Sequence, residues 1–295
     1  MKTRDQNHEQ KLLCDRYVKY LFIASAALMA LLIFSIVFFV GRQGLIAFTQ
    51  ISPGEFFFTA KWDPMEKQFG ALSFIAGSLF VTATAVAIGG PLGVLGAVFM
   101  AKIAPGWLRD IMRPAIDLYV AIPSVVYGYA GLVVLVPFLR EFFDVQTGFG
   151  VLAAGLVLSI MILPTIISIS DDALRAVPKP LEEASLALGA TYWQTLYRVL
   201  VPAALPGVLT AIVLAMARAI GETMAVQMLI GNTPMLPTSF FTPTSTLTSN
   251  IVVEMGNTPF GSAWGNSLFL MALVLLVLSL GLILLIRRIG ARRYA

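Results

Sequence analysis

Two residues of opposite charge, Arg218 and Glu222, stand in a long run of small apolar residues. A planar guanidinium presents paired N–H donors that match the oxygens of an oxyanion. Residues four apart lie on one face of an α-helix, so Arg218 and Glu222 are predicted to face the same way and to pair. Charged side chains in an apolar helix are costly, and they are expected where they pair or line a cavity.

The predicted pair has two interpretations. It is either a structural ion pair that holds neighbouring helices together or part of a path for an anion. Glu ahead of Arg is the order that stabilises a helix better, and here the order is reversed. The neighbours Ala215, Ala219 and Gly221 are small and leave room for a ligand. We favour the path, in which Glu222 competes for Arg218 and keeps it from holding a permeant anion too tightly.

The element that must position this pair is a membrane helix, because the composition excludes a soluble fold. Of the 295 residues, 58% are hydrophobic and 12% are charged, against about 25% charged in a typical soluble domain. The single cysteine, Cys14, excludes an internal disulfide, and the single histidine, His8, excludes a zinc site built on several histidines. We expect an all-α integral membrane protein that contacts lipid and binds no cofactor or metal itself.

Six apolar runs are long enough to cross a bilayer, which takes about 20 residues each. The predicted spans are 20–40, 75–100, 118–139, 147–169, 205–230 and 264–286. They leave a basic tail at 1–19, an external segment at 41–70, a main helical domain at 71–288 and a short tail at 289–295. A second external segment, 231–263, is rich in Thr and Pro, and its first part to Asn250 is predicted to be irregular.

The distribution of Lys and Arg predicts the orientation. Fifteen basic residues fall on the side that holds both termini, and four fall on the other side. Both termini are therefore expected in the cytoplasm, with the chain in the cytoplasmic (inner) membrane. Because topology accounts for the net charge of +4, no nucleic-acid partner is expected.

The cytoplasmic loop 178–203 has a specific pattern. Residues 181–188 are predicted to form a short helix that Gly189 ends, and Thr191 is predicted to cap a second one at 192–199. The spacing from Glu183-Ala184-Ser185 to Gly189 and then to Pro202 resembles the EAA loop of ABC importer permeases. The resemblance implies a type I importer permease domain whose coupling helix sits in a cleft of an ATPase subunit.

In that resemblance the coupling residues are Glu182, Glu183, Ala184, Ser185 and Gly189, with both glutamates facing the partner and Ala184 allowing close approach. The sequence contains no G-x-x-x-x-G-K-[ST] and no Gly-Lys dipeptide. We therefore expect a chain that is not an enzyme, with ATP and Mg²⁺ bound by a separate subunit.

Further runs narrow the family. Trp62-Asp63-Pro64, the stretch from Ile122 to Gly128 and the stretch from Ala217 to Thr223 are similar to phosphate permeases of the PstC type. The resemblance implies ATP-driven phosphate import with a homologous second permease (PstA type), an ATPase dimer (PstB type) and an external phosphate-binding protein (PstS type). It also implies that Arg218 and Glu222 match the family's intramembrane charged pair, with weaker path candidates Ser124, Tyr127 and Thr223.

Three alternatives remain open. The same architecture could carry another oxyanion, such as sulfate or molybdate. A proton-coupled secondary carrier using Glu222 is disfavoured, since such a carrier has no motor subunit for an EAA loop to contact. A membrane-embedded enzyme is disfavoured because the spans contain no His, no Cys and a single mid-membrane carboxylate.

Overall fold

The computed structural model describes the backbone of residues 2–292, with side chains described for 16–284 and for Arg288. The chain is helical apart from one small antiparallel hairpin, in which β1 (Trp62–Asp63) pairs with β2 (Gln68–Phe69). In chain order the α-helices are α1 (Lys2–Ile46), α2 (Pro53–Phe58), α3 (Leu72–Val98), α4 (Gly106–Ala121), α5 (Ser124–Ala130), α6 (Val136–Phe142), α7 (Val151–Arg175), α8 (Lys179–Ala187), α9 (Tyr192–Thr195), α10 (Val201–Gly221), α11 (Met224–Leu229), α12 (Leu247–Met255) and α13 (Ala263–Arg292). A 3₁₀ turn follows α1 at Ala47–Thr49, and π-helical turns occupy Phe99–Ile103, Gly131–Leu135 and Leu196–Leu200.

The prediction of six membrane helices is confirmed for the described chain. The stretches long and apolar enough to cross are Arg16–Thr49, Leu72–Ile103, Ser124–Phe142, Val151–Arg175, Tyr192–Gly221 and Ala263–Leu284. Six crossings put the two ends of the chain on one side, called the termini side below, and α8 lies on that side as well. The other side is called the opposite side.

The third span begins later than predicted. Residues 118–121 belong to α4, and the span itself starts at Ser124. Ile122 precedes Pro123 and is extended, with φ −66° and ψ 128°. A residue before proline is disfavoured in the helical region, so the chain turns here instead of continuing as one helix.

The centre of the bundle is the contact between α3 and α7, which glycine makes possible. A Cβ placed on Gly93 would lie 2.7 Å from Cβ of Ile166, and one on Gly89 would lie 2.9 Å from the main-chain oxygen of Ser159. Small residues let two membrane helices approach this closely. Leu158 and Ile162 of α7 are fully buried in the cluster that forms around this contact.

Helix α1 stands largely apart from the bundle. Its residues 16–39 are exposed along the whole apolar run. Contact with α13 starts near Phe39, whose ring packs edge to face on Phe269 at 5.6 Å. Five residues later a Cβ on Gly44 would lie 3.0 Å from Cα of Leu270.

The second segment on the opposite side is more ordered than predicted. Its residues 247–255 form α12, and Thr246 opens the helix with a capping box that Ser249 completes. Every residue from Thr244 to Asn250 is buried, and Leu247 N–H donates to Ser78 Oγ of α3 at 3.0 Å. The prediction of an irregular stretch to Asn250 is therefore wrong at its C-terminal end. Hydroxyl groups that bond to one another and to the backbone allow this polar segment to be buried.

Glu254, near the end of α12, ties this helix to two distant parts of the chain. Its carboxylate oxygens accept hydrogen bonds from Nε1 of Trp62 at 2.7 Å and Nε1 of Trp264 at 2.6 Å. Burial raises the pKa of Glu254, and the two indole hydrogen bonds act in the opposite direction. The hairpin, α12 and the start of α13 thus meet at one carboxylate.

Candidate functional site

The fifth membrane helix breaks at the predicted site. α10 ends at Gly221, Glu222 is extended with φ −69° and ψ 129°, and α11 starts at Met224. The predicted span 205–230 is therefore divided between two helices, and the prediction that Arg218 and Glu222 share a helix face is wrong. A backbone break inside a membrane persists only where the freed groups find new partners.

Those partners come from the break itself and from α12. Oε1 of Glu222 accepts hydrogen bonds from the N–H groups of Thr223 at 3.2 Å and Ala225 at 3.4 Å. Thr223 Oγ1 donates to the oxygen of Gly221 at 3.2 Å. Thr248 Oγ1 donates to the main-chain oxygen of Glu222 at 3.1 Å. Glu222 is thus engaged with the backbone of α11 instead of with a cation.

Arg218 is left with weak partners. Its Nη1 donates to Thr165 Oγ1 of α7 at 3.5 Å, the long limit for such a bond. No carboxylate forms an ion pair with Arg218 among the residues with described side chains, so the predicted pairing with Glu222 is wrong. A half-buried guanidinium therefore keeps most of its donors available.

The position of Arg218 along the bundle follows from its contact with α7. Thr165 is fourteen residues from Val151, where α7 starts, and ten from Arg175, where it ends. At about 1.5 Å per residue, Thr165 lies about 21 Å from one end and about 15 Å from the other. The hydrocarbon core is about 30 Å thick, so this level is well inside it.

Neither of the weaker candidates Tyr127 and Ser124 forms a hydrogen bond with Arg218. Tyr127 Oη donates to the main-chain oxygen of Tyr119 at 2.8 Å, which directs the phenol toward the end of α4. One residue on, a Cβ placed on Gly128 would lie 2.9 Å from Cα of Ala225, so α5 packs closely on α11. Ser124 is half-buried at the start of α5, and no described hydrogen bond joins it to Arg218.

A polar cavity of about 230 Å³ lies toward the termini side of Arg218. Ser168 lines it, three residues after Thr165 and therefore about one turn along α7. Arg113 and Asp117 of α4 line it together with Asp171 of α7. Among the described residues, no group of three His, Cys, Asp or Glu side chains is placed to hold a metal ion.

Two residues at this site were missed by sequence reasoning. Thr165 follows Pro164 within a predicted span. A polar side chain next to a helix-perturbing proline is the sequence feature that could have identified it. Thr248 had no local signal, because it lies in the Thr- and Pro-rich segment that was predicted to be irregular. Its contact with Glu222 crosses 26 positions of the sequence.

On the termini side, two short helices follow α7 as predicted. α8 ends two residues before Gly189, whose φ of +83° favours glycine. Thr191 then caps α9 with a capping box that Gln194 completes. From Tyr192 the chain stays helical through a π turn into α10, so α9 and the helix that carries Arg218 form one continuous helical stretch.

The predicted coupling residues fall into two groups. Glu183 and Ala184 are exposed on α8 and are accessible to another subunit. Glu182 instead pairs with Lys102 at 2.7 Å, so in this structure it does not face outward as predicted. Ser185 shares a hydrogen bond with Thr195 of α9 at 2.9 Å between their hydroxyl oxygens, and it too faces inward.

Residues 93–293 match the family described as the binding-protein-dependent transport system inner membrane component. The chain belongs to this family. It is thus a permease subunit of an ABC importer, a class that works with an ATPase and a substrate-binding protein and is itself generally non-catalytic. Residues 181–202, which carry the EAA-like spacing, and Arg218 lie inside the matched range.

Two relatives of this permease cover nearly all of it. A probable ABC transporter permease protein, YqgH, of Bacillus subtilis (strain 168) is 51% identical over 274 residues, covering 92% of this chain and 89% of the relative. The phosphate transport system permease protein PstC of Haemophilus influenzae (strain ATCC 51907 / DSM 11121 / KW20 / Rd) is 33% identical over 293 residues, covering 92% of each.

Solved ABC transporters have the same fold. A bacterial ABC transporter that imports the acidic polysaccharide alginate matches with a TM-score of 0.64 and 16% identity, covering 95% of this permease and 99% of that chain. The MetNI methionine ABC transporter, in an inward-facing form, matches with a TM-score of 0.54 and 23% identity, covering 79% and 97%. The type I importer fold is therefore confirmed.

Proposed function

We propose that this permease forms the path of an ATP-driven phosphate importer. The observation that carries the proposal is Arg218, a half-buried guanidinium deep in the bundle whose described hydrogen bond is a single weak one to Thr165. A guanidinium with free donors binds the oxygens of a phosphate, and a permeant ion needs a contact it can leave. The similarity to PstC proteins supports phosphate over other oxyanions.

The break between α10 and α11 supports a transport role. Discontinuous helices in transporters place backbone groups and charges beside a substrate near the middle of the membrane. Here the break adjoins Arg218 and is held by Thr223 and Thr248. Glu222 caps α11 in this arrangement, so its proposed role is to keep the break open and its own charge away from Arg218.

In the proposed assembly, a PstA-type permease pairs with this chain, a PstB-type ATPase dimer binds ATP and Mg²⁺, and a PstS-type protein delivers phosphate from outside. The permease lies in the inner membrane with its termini side facing the cytoplasm, which is the orientation that the distribution of Lys and Arg favours. Exposed Glu183 and Ala184 contact the ATPase, and Gly189 lets the chain reverse between the two short helices.

Transport then proceeds by alternating access. Closure of the ATPase dimer displaces α8 and α9, and the continuous helix from Tyr192 to Gly221 carries that displacement to Arg218. Phosphate reaches Arg218 from the opposite side and leaves through the polar cavity lined by Ser168 and Asp171. Arg113 is already paired with Asp171 and Asp172 there, so the cavity offers a leaving anion no unpaired cation that could trap it.

The test is uptake into vesicles that contain this permease with its sister permease, its ATPase and its binding protein. We expect ATP-dependent accumulation of labelled phosphate and little accumulation of sulfate or molybdate. Arg218→Ala removes a charged hydrogen-bond donor worth about 1.5–3 kcal/mol and should lower uptake about 10- to 100-fold. Arg140→Ala, at an exposed arginine near the end of α6, is the matched control and should leave uptake unchanged.

Three outcomes would contradict the proposal. Equal uptake by the Arg218→Ala and Arg140→Ala variants would leave Arg218 a structural role only. Preference for sulfate or molybdate would assign another oxyanion to the same architecture. Uptake that needs a proton gradient but no ATP, and that Glu222→Gln abolishes, would favour a secondary carrier.

A further inference from the structure

The termini-side end of the second span is held by contacts with the two short helices that follow α7. Lys102, in the π turn after α3, pairs through Nζ with Glu182 of α8 at 2.7 Å. Its main-chain oxygen accepts a hydrogen bond from Tyr192 Oη of α9 at 2.6 Å. One residue of the second span is therefore bonded to both short helices, 80 and 90 positions away in sequence.

The turn that carries Lys102 is fixed from its other sides as well. Arg109 of α4 donates through Nε to the main-chain oxygen of Met100 at 3.1 Å. A small apolar cluster then joins this end of the bundle, with Ala101 of the π turn packed with Leu174 of α7 and Ala204 of α10. A displacement of Lys102 is consequently transmitted to the second span instead of being absorbed by a loose loop.

The Lys102–Glu182 ion pair is shielded, which distinguishes it from an ordinary surface pair. The side chains of Lys102 and Glu182 are 17% and 25% exposed. The Lys61–Glu66 pair on the opposite side has a similar length, 2.9 Å, but its side chains are 60% and 58% exposed. Exposed pairs contribute little, whereas shielded ones hold a fixed geometry when their charges remain matched.

We propose that Lys102 and Glu182, with Tyr192, form a transmission joint that carries the movement of α8 and α9 into the second span. The continuous helix from Tyr192 moves α10, and this joint moves α3 at the same time. These residues act as positioning residues, because none of them contacts the permeant ion. The inference rests on the proposed coupling of α8 to an ATPase, and it assigns Glu182 to a contact within this chain.

The experiment uses the full complex in vesicles and reverses the charges of the pair. Lys102→Glu and Glu182→Lys are made singly and together, and Lys61→Glu with Glu66→Lys is the matched control. Each single reversal should lower the number of phosphate ions taken up per ATP by about fivefold or more, within the usual range of coupling between sites. The rate of ATP hydrolysis and the co-purification of the ATPase should be retained. The double reversal should restore uptake per ATP, and the control should match the native chain.

A second readout does not depend on the transported ion. Spin labels are placed at Leu95 of α3 and Lys179 of α8, both exposed, after Cys14→Ser removes the native thiol. In the native chain the distance between the labels should stay the same with and without ATP, because the joint moves both helices together. In each single reversal the distance between the labels should change when ATP is added. In the double reversal the distance should again be the same with and without ATP.

The results separate the two proposals. A native complex that takes up no phosphate would overturn the substrate assignment, and the label distances would still decide whether the joint exists. A double reversal no better than either single one would overturn the joint. So would loss of the ATPase from the Glu182→Lys variant without recovery in the double reversal, since Glu182 would then contact the ATPase itself.

Discussion

Asp171 and Asp172 allow the effect of burial to be measured at one arginine. Both carboxylates accept from Nη2 of Arg113, at 2.8 Å and 2.9 Å. Asp171 also accepts from Nε of Arg175, at 2.9 Å from each of its oxygens. The side chain of Asp171 is 1% exposed, whereas that of Asp172 is 72% exposed. The same change, Asp→Asn, can therefore be made at neighbouring positions that differ in solvent access.

The loss in free energy of unfolding for Asp171→Asn depends on the two arginines that remain without this carboxylate. Breaking a fully buried pair costs about 3–5 kcal/mol, because a charge is left without a partner in a dry site. Here the partners stay partly solvated, with Arg113 49% and Arg175 31% exposed, so the cost is reduced. We expect a loss of about 1–3 kcal/mol, part of it from an amide N–H₂ that now faces guanidinium donors. Asp172→Asn removes an exposed contact and should cost less than about 0.5 kcal/mol.

The assay is thermal unfolding of the purified chain in one detergent at one scan rate, followed by tryptophan fluorescence. At about 2–4 °C per kcal/mol, Asp171→Asn should lower the midpoint by roughly 2–12 °C and Asp172→Asn by less than about 2 °C. Equal falls for the two variants would refute the reasoning, because burial would then have no bearing on the contact. A larger fall in the midpoint for Asp172→Asn than for Asp171→Asn would also refute it, because the exposed contact would then contribute more than the buried one.

Two further predictions concern the opposite side of the bundle. Glu254→Gln should remove a pH dependence of the free energy of unfolding. Because the pKa of Glu254 is raised in the folded chain, its contribution to stability is greatest below its unfolded pKa. That contribution is lost progressively as pH rises through the folded pKa. The unfolding midpoint of the native chain relative to the variant should therefore fall as pH rises above the ordinary pKa range of a glutamate, and a difference that stays constant with pH would contradict this. Gly77→Ala places a Cβ 2.2 Å from the main-chain oxygen of Ser245 and should destabilise by about 1–3 kcal/mol, measured by the same thermal unfolding. The control Gly281→Ala meets no atom within 4 Å and should be neutral or stabilising by up to about 1 kcal/mol, so similar losses in both would show that contact at Gly77 is not the cause.

The parts of the fold that follow local patterns could be predicted from the sequence. The six spans follow from apolar length, and the cap at Thr191 follows from a Thr three residues before Gln194. The end of α8 before Gly189 has a similar local cause. Pro123 also marks the turn that delays the third span, and the error of six residues came from counting apolar length across it.

The arrangement of the candidate site could not be predicted, because it depends on distant partners. Nothing between Ala217 and Thr223 forbids a continuous helix, since a glycine in a helix costs only about 1 kcal/mol. The break is held by Thr248, and Arg218 turns to Thr165 on another span. Tertiary contacts thus separated a pair that helical spacing placed together. Whether the predicted path residues bind phosphate stays a prediction.

The isolation of α1 has a consequence for how the protein responds to membrane thickness. Its uncharged run between Lys19 and Arg42 is 22 residues, about 33 Å at 1.5 Å per residue, against a hydrocarbon core of about 30 Å. Residues 16–39 are exposed, and the contacts with α13 made by the part of the helix with described side chains lie near Phe39 and Gly44. Hydrophobic mismatch is relieved by tilt at a small cost per ångström. We therefore expect a thinner bilayer to tilt α1 about that attachment, with little effect on the helices around Arg218.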